Sequence, residues 1–256
     1  MTKECDNMQK LKIVGGKKLT GEISISGAKN SAVALIPAAI LCDEETNILN
    51  IPEISDRDDL IEIMTLLGAK IDSHDEKMTI DSSHVQNKEI PEELTTRLRA
   101  SYYFMGALLG RFKHVEIYFP GGCQIGQRKI DYHLKGFQAM GATVTEDKMK
   151  YIIDAPELKG AKIYLDFASV GATINIMLAA VKAKGITVIN NAAKEPEIAN
   201  VASFLNNMGA KIKGAGTSKI TIEGVSYLHK AMIEVIPDRI EAGTYIIVGA
   251  LLGQNL

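Results

Sequence analysis

The chain has 256 residues, of which 46% are hydrophobic and 23% charged, and its 29 basic and 31 acidic residues leave a formal charge of −2. This composition supports a buried core and excludes a disordered chain. The balanced charge argues against broad attraction to nucleic acid or an anionic membrane, and the absence of Trp with only 5% aromatics leaves no stacking platform for single strands.

In chain order, residues 22–26 read as a strand and residues 31–41 as an apolar helix opened by Gly27-Ala28-Lys29-Asn30. A strand at 46–51 and a helix at 56–67 follow. The helix ends on Gly68-Ala69, and short strands at 70–73 and 77–81 form a hairpin pattern. An apolar helix over 100–109 follows Arg97 and Arg99. A second helical pattern ends on Gly141-Ala142, before paired strands at 143–146 and 150–154. Ser169-Val170-Gly171-Ala172-Thr173 opens a helix over 174–183, then come a strand at 186–190 and a helix at 195–208. That helix ends on Gly209-Ala210, before strands at 211–213 and 219–223.

Each Gly-Ala pair stands where a helix end needs a left-handed residue. Glycines 68, 141 and 209 define a repeat of about 70 residues. Each unit reads β-α-β-α-β-β, so the predicted fold class is α/β. A fourth unit is expected after Gly224, with a strand at 232–235 and a helix at 243–252. Its second half does not follow, and the pattern predicts that these residues are a portion of a longer architecture, with a naturally short form as the alternative.

No apolar run reaches the ~20 residues of a membrane span, and the first residues lead into no apolar signal segment. The three cysteines, Cys5, Cys42 and Cys123, are odd in number and lack metal-ligand spacing. Neither a disulfide framework nor a zinc site is expected, and a reducing cytoplasm fits best. Cys42 follows an apolar run and reads as core; Cys5 reads as incidental. Cys123 lies in the glycine-rich stretch Pro120-Gly121-Gly122-Cys123-Gln124-Ile125-Gly126-Gln127-Arg128, near two cations, where a thiol is open to acid, base or nucleophile roles; a bland exposed thiol is the competing reading.

At Gly27-Ala28-Lys29-Asn30-Ser31 a helix N-terminus and a cation favour a phosphate or carboxylate; a solvated Lys29 and a capping Ser31 are the alternative. Ser169 to Thr173 repeats the arrangement: it holds a phosphate or simply starts a helix. Arg97, Arg99 and Arg128 suit bidentate anion contacts, and each also reads as a surface charge. His133 reads as a plain helix histidine, and Glu195 and Glu197 as carboxylates favoured by a helix dipole. Pro237-Asp238-Arg239-Ile240-Glu241 caps the next helix or hinges two domains.

Together, Gly27-Ala28-Lys29-Asn30-Ser31, the Cys123 stretch, Asp131-x-His133, Ser169 to Thr173, Glu195-Pro196-Glu197 and Pro237 to Glu241 resemble the UDP-N-acetylglucosamine 1-carboxyvinyltransferase family, over about residues 11–256. The resemblance implies two inside-out α/β domains of three β-α-β-α-β-β units each. Residues 1–28 would belong to the second domain, 29–236 would form the first, and 237–256 would re-enter the second, exposing apolar faces open to self-association.

The implied reaction moves the enolpyruvyl group of phosphoenolpyruvate to the 3′-hydroxyl of UDP-N-acetylglucosamine, with no metal and no organic cofactor. Cys123 would be catalytic and the target of fosfomycin. Lys29, Asn30 and Arg128 would bind phosphoenolpyruvate. Asn30, Arg99, Arg128, Lys129, Ile130, Asp131, Tyr132, Phe167, Ala168, Ser169 and Val170 would bind the UDP-sugar.

The chain departs from the family pattern at Phe167, where some members carry lysine, and at Lys129 and Tyr132, often proline and leucine. The family's general-base aspartate and further arginines are expected beyond residue 256. One alternative is a non-catalytic UDP-sugar-binding module. Another is 5-enolpyruvylshikimate-3-phosphate synthase, against which the Cys123 stretch weighs.

Overall fold

The computed structural model describes residues 11–121 and 130–254. The chain divides into two compact units, Ser26–Asp238 and the pair Met1–Ile25 with Arg239–Leu256.

In the larger unit, three helices are apolar around most of their circumference, as helices buried on all sides must be. They are α1 (Lys29–Ala38, continued by the 3-10 turn Ala39–Leu41), α4 (Tyr103–Phe112) and α6 (Val170–Ala180). Their C-terminal ends meet around Arg111, which donates to Ile40 O (2.7 Å) and Ser82 O (3.0 Å) and pairs with Asp43 at 2.6 Å. Lys113 Nζ there donates to Gly110 O at 2.5 Å and Lys182 Nζ to Ser226 O at 3.1 Å. Cations at helix C-termini answer unpaired carbonyls and the dipole together. Cys42 is fully buried beside this end, and burial pushes its thiol pKa up.

Outside these lie α2 (Ser55–Leu67), the short α3 (Glu92–Arg97), α5 (Asp131–Ala139) and α7 (Pro196–Asn207). The outer helices are amphipathic: α2 buries Leu60, Ile63, Met64 and Leu67, one helical stripe. Helices α2, α5 and α7 are followed by Gly68, Gly141 and Gly209 at φ 106°, 92° and 100°, the left-handed endings that the repeat predicted.

Three sheets complete the unit. The first is ordered β11-β1-β3-β2 (Met232–Glu234, Glu45–Leu49, Lys77–Asp81, Lys70–His74). The second is β4-β6-β5 (His114–Tyr118, Lys150–Asp154, Thr143–Asp147), and the third is β7-β8-β10-β9 (Lys162–Tyr164, Ile186–Asn190, Lys219–Glu223, Lys211–Lys213). Two hairpins turn on paired left-handed residues, Asp75-Glu76 and Lys148-Met149, whose backbone matches the strand twist.

The register corrects the sequence reading at one point. Strand β11 does not begin a fourth unit: it runs parallel to β1, with Asn47 opposite Met232 and Leu49 opposite Glu234. It plays the part that β7 plays beside β8. The flanking residues repeat the equivalence. Asn50 and Asn191 both leave their strands at φ near +50°, 54° and 53°, and donate to Val235 O (2.9 Å) and Leu165 O (2.7 Å). In the second sheet a parallel bridge from Ile90 to Ile117 marks the same position.

The strand expected at 22–26 does not form, because a strand needs a partner and the edge of β1 is taken by β11. The 100–109 helix is entered through a 3-10 turn, Arg99–Tyr102. Helix α3 leaves no mark in the sequence pattern, for six residues of mixed polarity carry little periodicity.

In the smaller unit, α8 (Arg239–Leu252) begins four residues before the expected start and buries no residue. Leu19 N donates to Leu252 O at 3.0 Å and Gln254 N to Leu19 O at 2.8 Å. Leu11, Ile13, Val14, Ile246, Ile247 and Leu251 are exposed. No helix among the described residues is long and apolar enough to cross a membrane.

Candidate active site

The first cluster sits at the N-terminus of α1. Two segments run together there: Ala28 N donates to Ile236 O (2.8 Å), Asp238 N to Ser26 O (2.9 Å), and Gly27 bridges Pro237. A Cβ on Gly27 would fall 1.9 Å from Asn50 O, so only glycine permits this approach. Asp238 Oδ2 accepts from Lys29 N at 3.1 Å and places a carboxylate where the sequence predicted an anion. Asp238 therefore serves α1.

Lys29 Nζ pairs with Asp56 at 2.8 Å, and Asn30 stands exposed beside it. Ser31 does not cap the helix. Ala28 is the N-cap, and the buried Ser31 hydroxyl meets Asn200 Oδ1 at 2.5 Å, while Asn200 Nδ2 donates to Glu234 O at 3.0 Å.

The second cluster gathers residues that lie far apart in the sequence. Ser169 caps α6, its hydroxyl accepting from Ala172 N at 3.3 Å. Two residues on, Gly171 meets the 3-10 turn and α5: a Cβ there would lie 2.8 Å from Tyr102 Oη and 3.1 Å from His133 Cε1. The Tyr102 and His133 rings pack edge to face at 4.9 Å, and the Arg99 guanidinium lies 5.9 Å from the Tyr102 ring. Ile130 is buried just before α5, Asp131 is its exposed first residue, and Tyr132 is half-buried.

The Arg99–Tyr102 turn and the first turns of α5 and α6 thus meet at Tyr102, His133 and Gly171, and Arg99, Ile130 to Tyr132, Ser169 and Val170 lie on or beside these three segments. Phe167, at 66% exposure, and Ala168 extend outward from the α6 cap, with Phe167 O accepting from Ser169 N at 2.8 Å. Cys123, Arg128 and Lys129 lie outside the described residues, as does Cys5.

His133 is far from the plain helix histidine of the sequence reading. It is 5% exposed, and burial, reinforced by the Arg99 charge, lowers its pKa to about 3. A histidine followed by a glycine three residues later on a helix gave only a faint sign of this. Glu197 is likewise buried, at 2% exposure in the first turn of α7. Burial chiefly, with Tyr102 and Glu197 contributing, holds the Tyr103 hydroxyl well above its usual range. No group of His, Cys, Asp or Glu among the described residues is arranged to hold a metal.

Repeats of this kind around buried helices define the enolpyruvyl transferase fold. The structure matches "the enolpyruvyl transferase NikO from Streptomyces tendae" with a TM-score of 0.83 at 26% identity, covering 94% of this chain and 57% of that one. EPSP synthase from Acinetobacter baumannii gives a TM-score of 0.72 at 21% identity over 94% of this chain and 55% of that one, a likeness of fold alone.

The family model of EPSP synthase (3-phosphoshikimate 1-carboxyvinyltransferase) matches residues 13–256, and the chain belongs to that family. Among its relatives, UDP-N-acetylglucosamine 1-carboxyvinyltransferase 2 of Oceanobacillus iheyensis is 55% identical over 249 residues, and that of Bacillus subtilis 53%. UDP-N-acetylglucosamine 1-carboxyvinyltransferase 1 of Streptococcus agalactiae is 54% identical over 251 residues. These alignments cover 97% of this chain and 58–60% of the relatives, so the chain spans about three-fifths of their length.

Proposed function

We propose that this chain is the part of a UDP-N-acetylglucosamine 1-carboxyvinyltransferase that holds the UDP-sugar and presents Lys29 and Cys123 to phosphoenolpyruvate. The observation that carries the reading is the meeting of the Arg99–Tyr102 turn with the first turns of α5 and α6 at Tyr102, His133 and Gly171. A cation, a helix N-terminus and aromatic edges together suit a nucleoside diphosphate. The identity of 53–55% to the Oceanobacillus and Bacillus relatives supports the choice of nucleotide sugar over shikimate 3-phosphate, as does the Cys123 stretch.

In this reading a general base of the whole protein takes the 3′-hydroxyl proton as its oxygen adds to C2 of phosphoenolpyruvate, while the Cys123 thiol protonates C3 and is left as thiolate, giving a tetrahedral phospho-ketal. The thiolate then takes a proton back from the new methyl group as the C–O bond to phosphate breaks and phosphate leaves, which restores the enol ether. Lys29 and Arg128 balance the phosphate and carboxylate charge through both steps. Lys29 must exchange Asp56 for substrate, and the 2.8 Å pair holds the ammonium ready at the helix end. Asn30 contacts the sugar. The reaction uses no metal or organic cofactor, belongs to peptidoglycan synthesis in the cytoplasm, and is an activity of the whole protein. Residues 1–28 and 237–256 are assigned to the second domain and 29–236 to the first.

Fosfomycin labelling tests the assignment. In the full-length protein the Cys123 thiolate should open the epoxide, its sulfur bonding to carbon as the ring C–O bond breaks and the oxygen takes up a proton. Peptide mass spectrometry should place the label on Cys123, and Cys123→Ser should abolish it. A label that persists on another residue would overturn the reading.

A further inference from the structure

Asn175 sits in the middle of α6, fully buried, and its amide is saturated by three different elements. Its Oδ1 accepts from Gly106 N at 2.7 Å, and its Nδ2 donates to Tyr102 O at 2.8 Å and to His133 Nδ1 at 2.9 Å. Two donors and one acceptor are used, which no carboxylate or aliphatic side chain can reproduce.

The partners on the 3-10 turn and on α4 are informative. Gly106 N and Tyr102 O stand four residues apart, the spacing of an ordinary α-helical hydrogen bond. Asn175 offers each of them a side-chain partner from a neighbouring helix. The segment just before α4 takes the 3-10 form from Arg99 to Tyr102, with the Arg99 guanidinium near the Tyr102 ring and the Tyr102 hydroxyl against Gly171 of α6. Gly106 belongs to the same arrangement: a Cβ there would fall 2.4 Å from Asn175 Oδ1.

The third bond fixes a proton. Because Asn175 Nδ2 is a donor, His133 Nδ1 must be the acceptor, and the neutral ring carries its hydrogen on Nε2. Among the described residues the charge acting on the ring is that of Arg99, a cation, which also disfavours a second proton there. The Tyr102 ring edge and Gly171 also pack against the ring.

We propose that Asn175 is the positioning residue of the UDP-sugar site: one buried amide sets the Arg99–Tyr102 turn against the first turns of α5 and α6 and fixes His133 as the Nε2–H tautomer. The inference rests on the nucleotide-sugar reading of this cluster. Asn175 touches no substrate, so it acts on affinity only through Arg99, Tyr102 and His133.

The test has two arms, both on this chain. Imidazole ¹⁵N spectra should show one neutral histidine in the Nε2–H form that does not titrate between pH 5 and 8. Asn175→Asp, nearly isosteric, should switch that ring to the Nδ1–H or doubly protonated form, because the carboxylate can only accept. His133→Phe, which keeps the ring volume, identifies the signal and serves if Asn175→Asp does not fold.

In calorimetric titrations with UDP-N-acetylglucosamine, each variant that folds should bind at least about tenfold more weakly, a loss of one charge-assisted contact. A wild-type ring protonated on Nδ1, or unchanged affinity in folded variants of a binding wild type, overturns the inference alone. A wild-type chain that binds no UDP-sugar overturns the nucleotide-sugar reading and the inference with it.

Discussion

Gly106→Ala puts the packing of α4 on α6 to a quantitative test. In a solvated helix interior the change favours folding by up to about 1 kcal/mol. Here the added methyl would meet Asn175 O at 2.3 Å and Asn175 Oδ1 at 2.4 Å, one a backbone atom of a buried helix and the other a bonded side chain. Overpacking costs about 1–3 kcal/mol. Displacing Asn175 also strands buried donors and acceptors, at about 1–3 kcal/mol. The net expectation is a loss of about 3 kcal/mol, or a melting temperature lower by about 6–12 °C for a unit of this size. Thermal and urea unfolding followed by circular dichroism would read it. Gly243→Ala is the control, since a Cβ there meets nothing within 4 Å; it should be neutral or slightly stabilising. A Gly106→Ala chain as stable as the wild type would refute the packing argument.

Three further outcomes follow from the same contacts. His133 has its pKa lowered to about 3 in the fold, so below the unfolded value near 6.5 the unfolded chain binds the extra proton and stability falls as pH drops. Urea titrations of His133→Phe between pH 6.5 and 4 should therefore show a stability slope shallower by about 1.4 kcal/mol per pH unit, with no difference in slope above pH 7. Arg111→Met removes donors to Ile40 O and Ser82 O and the partner of Asp43, and should cost about 2–3 kcal/mol in urea unfolding. Asp238→Ala removes the acceptor for Lys29 N and should cost about 1 kcal/mol by the same measurement.

The repeat was legible because each unit ends its outer helix on a glycine. Gly68, Gly141 and Gly209 are local requirements, visible without knowing any long-range partner. The hairpins 70–81, 143–154 and 211–223 were legible for the same reason. What the sequence hid was the pairing of β11 with β1, a contact between residues almost 190 positions apart, which three short residues of strand pattern cannot announce. The strand expected at 22–26 failed for that same non-local reason.

At the site, Ser169 announced itself as a helix cap, and Lys29 and Arg99 as cations near helix starts. Asn175 gave no sign. An asparagine within an apolar helix reads as a minor interruption until α4 and α5 are packed around it. Asp238 was visible as a helix-flanking carboxylate, but that it also serves α1 depends on the meeting of two segments about 210 residues apart.

The reading of the site as a UDP-sugar holder meets its most direct test in a competition between two ligands of the same fold. Isothermal titration of this chain with UDP-N-acetylglucosamine should give saturable binding that Arg99→Met weakens by about tenfold or more, the loss of one bidentate or charge-assisted contact. Shikimate 3-phosphate at the same concentrations should give no heat beyond dilution. Saturable binding of shikimate 3-phosphate with none of the UDP-sugar would contradict the account.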